Sequence, residues 1–293
     1  SIMRKFLNGP WVLLMPTLII LTCVVMLPLL LSLWTSFTPF KLTKPDTLYR
    51  FVGFRNYERL IGDLDFWIAF GRTVLFLAIA LNLELVFGLG IALLINKITY
   101  GQRTLRTLMM FPMMFSPILV GFQWKYIFND NIGLMNNFLR EFGVIQPIPW
   151  LVDGILANTS IMAAEIWSST SVFAILLLAG LLGIPKDPIE AAKVDGCNSW
   201  QVFKNITLPF LMPFVFIAMT IRSLDVARAY DIVQMMTGGG PAKRTELLWT
   251  LISRTGYVDA KMGMANAMSY ISIFLSIASV SYTHLRAHET HLN

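Results

Sequence analysis

The chain is built on apolar runs of about 20 residues, each long enough to cross a ~30 Å hydrocarbon core as a helix. The first, WVLLMPTLIILTCVVMLPLLLSLWTSF at Trp11–Phe37, holds no charged side chain. In hydrocarbon every backbone amide must be paired inside the protein, and a helix achieves this within one segment. Charged residues make up 14% of the 293, and hydrophobic residues 56%. A soluble domain carries about 25% charge. A large soluble all-α protein would need more charged surface than this chain offers. The expectation is an all-α, polytopic membrane protein.

Six spans emerge, at Trp11–Phe37, Ile68–Ile95, Leu105–Phe128, Thr159–Leu182, Pro209–Ala229 and Met262–Val280. Pro16 and Pro28 lie inside the first, and Pro112 and Pro117 break the third. Membrane helices tolerate proline where neighbours satisfy the freed carbonyls. Arg4 and Lys5 flank the first run as they would in a signal peptide. The run is too long for a signal core and no small-residue cleavage site follows, so it reads as a retained span. This divides the chain into a first span with its following loop (1–67), a five-helix core (68–280) and a tail (281–293).

The formal charge is +6, with basic residues scattered singly or in pairs. The absence of a basic run argues against a nucleic-acid partner. A basic balance suits loops facing anionic lipid. The loop charges do not settle which side is which, because two of the basic loops are long and the rule weights short ones. Cys23 lies in an apolar run and Cys197 in a polar loop, which disfavours a disulfide. In NIGLMNNFLREFG, Leu134, Met135, Phe138, Leu139 and Phe142 share a helical face, which predicts an amphipathic helix at the membrane surface. Gly143 would stop it.

The connection IEAAKVDGCNSWQVFKNITLP is more elaborate than two spans require. Asp187 can cap a helix, with Pro188 at its first position and Glu190 three residues after the cap. Gly196 is a natural left-handed stop. Asn198 or Ser199 can cap a second helix that runs on through Trp200 into the fifth span. A helix of two turns is marginal in water. It is either a docking helix for another protein's groove or an interfacial turn packed on its own bundle.

Glu190-Ala191-Ala192, three residues, Gly196, nine residues, Ile206, one residue, then Leu208-Pro209 resembles the EAA motif of ABC-importer permeases. FVGFRNYERLIGDLDFW, Thr73 in FGRTVLF, Pro112 in LMMFPMMFSP and YDIVQMMTGGGPAKRT are similar to the maltose-type and glycerol-3-phosphate-type sugar branch. The resemblance runs from about Val12 to Ile277 and implies a type I ABC-importer permease fold with an EAA loop at 184–209. It implies that Asp187, Glu190, Ala191, Ala192, Gly196, Ile206, Leu208 and Pro209 couple the chain to an ATPase. It also implies a second homologous permease, two ATP-binding subunits holding ATP and Mg, and an extracytoplasmic solute-binding protein. The location would be a bacterial or archaeal inner membrane with both termini cytoplasmic. The cargo would be a sugar or a sugar-like solute. Another solute such as a glycerol phosphate or an amino acid, or an ion-coupled secondary transporter, is the alternative.

No GxxxxGK[ST] string occurs, so TGGGPAKRT is a turn and any ATP must be handled by a separate subunit. The chain is expected to hold no catalytic residue, cofactor or metal. Ionisable residues inside spans are candidates for function. Asn82, Glu84, Gln123, Trp124, Glu165 and Trp167 form the candidate translocation path, since a sugar path needs polar groups and aromatic faces. Glu84 and Glu165 could equally bond helix to helix. Asp225 can pair with Arg222 or Arg228 at three-residue spacing. His284, His288 and His291 lie in the abruptly polar tail 281–293, which resembles an assembly scar and is set aside from the functional reading.

Overall fold

The computed structural model describes residues 11–289. Its regular elements are helices, with no strand among the described residues. In order they are α1 (Trp11–Leu21), α2 (Leu27–Ser36), α3 (Arg55–Ile61), α4 (Leu64–Lys97), α5 (Gln102–Met110), α6 (Pro117–Ile127) and α7 (Leu134–Glu141). There follow α8 (Gly154–Leu182), α9 (Lys186–Val194), α10 (Ser199–Val202), α11 (Leu208–Ala227), α12 (Asp231–Met236), α13 (Leu248–Ser253) and α14 (Met262–Glu289).

Four stretches are long and apolar enough to cross a membrane: Val12–Ser36, Leu64–Lys97, Gly154–Leu182 and Ser199–Ala227. The third expected span is the pair Gln102–Met114 and Pro117–Ile127, bent by 90° at the prolines. Counted as one span, it brings the number among the described residues to five. The sixth expected span lies on α14, a single helix of 28 residues. That helix continues to Glu289, past the expected boundary at 280. Arg4, Lys5 and the histidine side chains of the tail lie outside the described residues and atoms.

Two of the spans share a local device. Thr22–Met26 and Phe203–Thr207 are π-turns, each followed at once by Leu-Pro. Leu27 and Leu208 donate five residues back, to the carbonyls of Thr22 and Phe203. Pro28 and Pro209 cannot donate and would press on the carbonyl four residues earlier. One extra residue per turn gives that carbonyl room, so the helix continues through the proline rather than breaking.

The chain forms two compact units. One comprises the chain up to Phe66 with Ile252–Phe274. Its buried centre mixes apolar Leu60, Phe66, Ala267 and Met268 with polar Ser36, Thr38 and Asn56. Buried Asn56 donates to the carbonyls of Ser36 and Thr38, both at 2.8 Å, and so satisfies the C-terminal end of α2. Phe37 packs edge-on to Phe54 at 5.3 Å and beside Tyr57 at 5.5 Å. Gly263 opens α14 against the carbonyls of Thr38 and Thr35, where a Cβ would collide with backbone.

The second unit is formed by Trp67–Leu251 and the remainder of α14. Its core gathers Phe76, Ala80, Ile161, Phe173, Leu177, Leu211 and Val226 from α4, α8 and α11. Small residues let these helices approach, as in membrane bundles generally. A Cβ on Gly88 would lie 2.5 Å from the Phe173 Cβ and 3.0 Å from the Ala174 nitrogen. Gly88→Ala is therefore expected to lose about 1–3 kcal/mol by overpacking, read as a lower thermal midpoint. Gly90, one half-turn on, faces open space, and Gly90→Ala should leave that midpoint unchanged or raise it.

Candidate functional site

The connection after α8 folds as two helices. α9 starts two residues earlier than expected, at Lys186, with Pro185 as its cap and no side-chain cap bond. The expected role of Asp187 as N-cap is thus corrected. Pro185 already holds the extended ψ of 142° that leads into a helix, so the turn begins before Asp187. Asp187 lies in the first turn, where a negative charge meets the positive end of the helix dipole. Pro188 sits third in the helix, still where no intrahelical donor is required.

The end of α9 follows expectation. Gly196 has φ +84°. Its N–H donates to Lys193 at 3.1 Å, and Cys197 reaches back to Ala192 at 2.9 Å. Together these close a Schellman stop. Asn198 then caps α10 in a reciprocal box: it accepts from the Gln201 N–H at 2.9 Å and donates its own N–H to Gln201 Oε1 at 2.8 Å. No residue of α9 is buried. Glu190, Ala191 and Gly196 are exposed, as are Val194 and Trp200, while Ala192, Ile206 and Leu208 are half-buried.

At the other end of α11 the structure joins groups far apart in sequence. Arg222 is buried and donates from Nε and Nη2 to the two oxygens of Glu84, at 3.1 and 3.2 Å. Nη2 also reaches Glu165 at 2.7 Å, and Nη1 faces Asp225 at 3.4 Å. Glu84 is fully buried. Ser169 adds a hydroxyl to Glu165 at 3.3 Å. Arg228 holds the other oxygen of Asp225 at 3.6 Å in a largely exposed pair. A carboxylate shut inside a bundle requires such a partner.

Two cavities flank this region. A polar one of about 470 Å³ is walled by Glu165, Ser168, Ser169, Arg222, Asp225 and Tyr230, among others. A more apolar one of about 460 Å³ is lined by Phe122, Gln123, Trp124, Tyr126, Leu134 and Trp167, among others. Trp124 and Trp167 lie 5.8 Å apart with their rings tilted by 58°, and Trp167 stacks on Phe115 at 6.4 Å. Of the expected path residues, Gln123, Trp124 and Trp167 therefore meet in one cavity and Glu165 lies in the other. Glu84 sits behind the polar cavity, on Arg222. Asn82 joins neither: it is exposed on α4 and bonds back to the Ala78 carbonyl at 2.7 Å.

The sequence pattern of the family described as "Binding-protein-dependent transport system inner membrane component" matches residues 84–289. The chain belongs to this permease family. It is 34% identical over 276 residues to the trehalose/maltose transport system permease protein MalF of Thermococcus litoralis, covering 93% of this permease and 90% of that one. It is 32% identical to the sulfoquinovosyl glycerol transport system permease protein SmoG of Agrobacterium fabrum, covering 94% and 88%. The fold matches that of a bacterial ABC transporter involved in the import of the acidic polysaccharide alginate, at a TM-score of 0.84 with 20% identity and 99% of both chains covered.

Within this permease, spacing exposed the Asp225 pairs because they lie one helical turn apart. The contacts of Arg222 with Glu84 and Glu165 cross 138 and 57 residues. The one signal for them was a charge inside an apolar run. Ser168 and Ser169 carried no such signal, being ordinary small residues of a membrane helix.

Proposed function

We propose that this permease forms the transmembrane pathway of an ATP-driven importer for a sugar or sugar-like solute. The observation that carries the solute class is the cavity between α6 and α8. It offers two indole faces, a tyrosine and the Gln123 amide in a volume suited to a small ligand. Apolar ring faces and a few fixed polar groups are what a pyranose presents and needs. Arg222, the buried cation beside the polar cavity, already has each nitrogen facing a carboxylate. That arrangement favours a neutral solute over a phosphate-bearing one.

In this reading the exposed α9 seats in a groove of an ATP-binding subunit that holds ATP and Mg. A second such subunit serves a second, homologous permease. A solute-binding protein delivers cargo at the opposite face, and both termini are cytoplasmic. The partnership is supported by a second matching fold, that of a bacterial alginate ABC transporter in complex with an alginate pentasaccharide-bound periplasmic protein. Glu165 acts at the wall of the polar cavity and Glu84 holds Arg222 behind it, neither serving as a proton site. The permease performs no covalent chemistry.

The test is uptake by the purified complex in proteoliposomes. Radiolabelled maltose or trehalose is expected to enter only with ATP and the binding protein. Trp124→Ala and Trp167→Ala should each weaken uptake roughly two- to tenfold, the worth of about 0.5–1.5 kcal/mol for an aromatic contact. Accumulation driven by a proton gradient without ATP would establish the secondary-transporter alternative instead.

A further inference from the structure

Helix α7 sits between the end of α6 at Ile127 and the start of α8 at Gly154, on the opposite end of α8 from the α9–α10 connection. Its expected single apolar face is divided in two. Met135 and Leu139 turn inward with the buried Asn136, whereas Leu134, Phe138 and the following Phe142 are exposed by 58, 60 and 72%.

At about 100° per residue, the helix carries three sectors. Met135, Asn136 and Leu139 form the protein-facing one. Leu134, Phe138 and Phe142 form an apolar one of about 80° on that same pitch, with the Phe138 and Phe142 rings 4.9 Å apart. Asn137, Arg140 and Glu141 form an exposed polar one.

The rotation of the helix is fixed. Asn136 donates to the carbonyls of Asp130 and Ile148, at 2.9 and 3.0 Å. Its Oδ1 accepts from the Ile148 N–H and the Trp150 indole, at 3.2 and 2.9 Å. A buried side chain with four such bonds prevents the helix from rolling to hide its phenylalanines. The exposed apolar sector is also continuous with α6, the second arm of the bent pair. Phe122 and Tyr126, exposed on α6, lead to Leu134, which lines the same cavity.

We propose that α7 lies at the line where protein, lipid and water meet, with Leu134, Phe138 and Phe142 inserted among the acyl chains nearest the headgroups. The occupant of the apolar sector is lipid. A helix facing one protein partner and water needs two sectors, and the third is explained by a bilayer edge. Arg140 and Glu141 keep to the headgroup and water side, as long charged side chains do at an interface.

The experiment places nitroxide labels one at a time on the full-length permease in liposomes of phosphatidylethanolamine and phosphatidylglycerol, with Cys23 and Cys197 changed to serine. Labels are introduced through Leu134→Cys, Phe138→Cys, Phe142→Cys, Asn137→Cys and Glu141→Cys. Dissolved oxygen should relax the first three labels more than a nickel chelate does, and the order should reverse at the last two. Chelate-dominated relaxation at the first three would mean that they face water. Protection from both reagents would mean that protein covers them. Either result overturns the proposal. Unmodified permease with photoactivatable phosphatidylethanolamine supplies the second measurement: crosslinked lipid is expected on the peptide 132–147, and its absence also counts against the inference. Neither readout depends on transport, so the outcome stands apart from the identity of the solute.

Discussion

Replacing Arg222 by methionine is expected to destabilise the permease by about 3–5 kcal/mol, the usual consequence of removing one partner from a buried ion pair. Glu84 is fully buried and both its oxygens depend on this guanidinium. Glu165 loses its closest cation at 2.7 Å. The melting temperature of the detergent-solubilised protein reads the effect. Adding Glu84→Gln to Arg222→Met should recover much of the loss, since neutral residues can replace a buried pair at little cost. Arg228→Ala should do far less, because that pair is mostly solvent-exposed. A melting temperature unchanged by Arg222→Met would mean that the cluster is not what holds α4, α8 and α11 together.

Gly196→Val is expected to separate transport from ATP hydrolysis. No atom lies within 4 Å of a Cβ at this position, so the penalty is one of backbone conformation alone. A left-handed β-branched residue costs at least roughly 1–2 kcal/mol, which shifts an equilibrium by about tenfold. The strain falls on the stop that sets how α9 leaves and α10 begins. In proteoliposomes, uptake should fall by about that tenfold factor while ATPase activity persists and the melting temperature drops by only a few degrees. Gly196→Asn should be milder, because asparagine tolerates left-handed backbone. Wild-type uptake by Gly196→Val would show that the turn is not part of the coupling.

What could be read in the sequence was local or periodic. Apolar runs placed the long helices, and the prolines placed the break in the third. Gly196 and Gly143 declared helix ends, and both adopt positive φ, +84° and +91°. Asp187 misled because the rules for a cap see side-chain chemistry, while Pro185 had already set the backbone that starts the helix. Of the Arg222 cluster only the Asp225 edge could be read; the bonds to Glu84 and Glu165 could not, because long-range pairing leaves no spacing signature. The division of the candidate path into two cavities was equally hidden. Glu165 and Trp167 are two positions apart, yet about 200° of helix rotation separates them, and they face different spaces. For α7 the apolar period was correct, but only the anchoring of Asn136 decides which apolar residues turn inward.

The π-turn before Pro209 has a mechanical meaning. Because it carries the helix through the proline, Ser199 to Ala227 is one unbroken stretch. From Trp200 to Arg222 that is roughly 33 Å of rod at 1.5 Å per residue. No slack loop lies between the exposed α9–α10 connection and the buried charges. A push received at Trp200 would reach Arg222 as a displacement of the rod itself, softened at the wide turn and at Pro213, where the helix lacks one hydrogen bond.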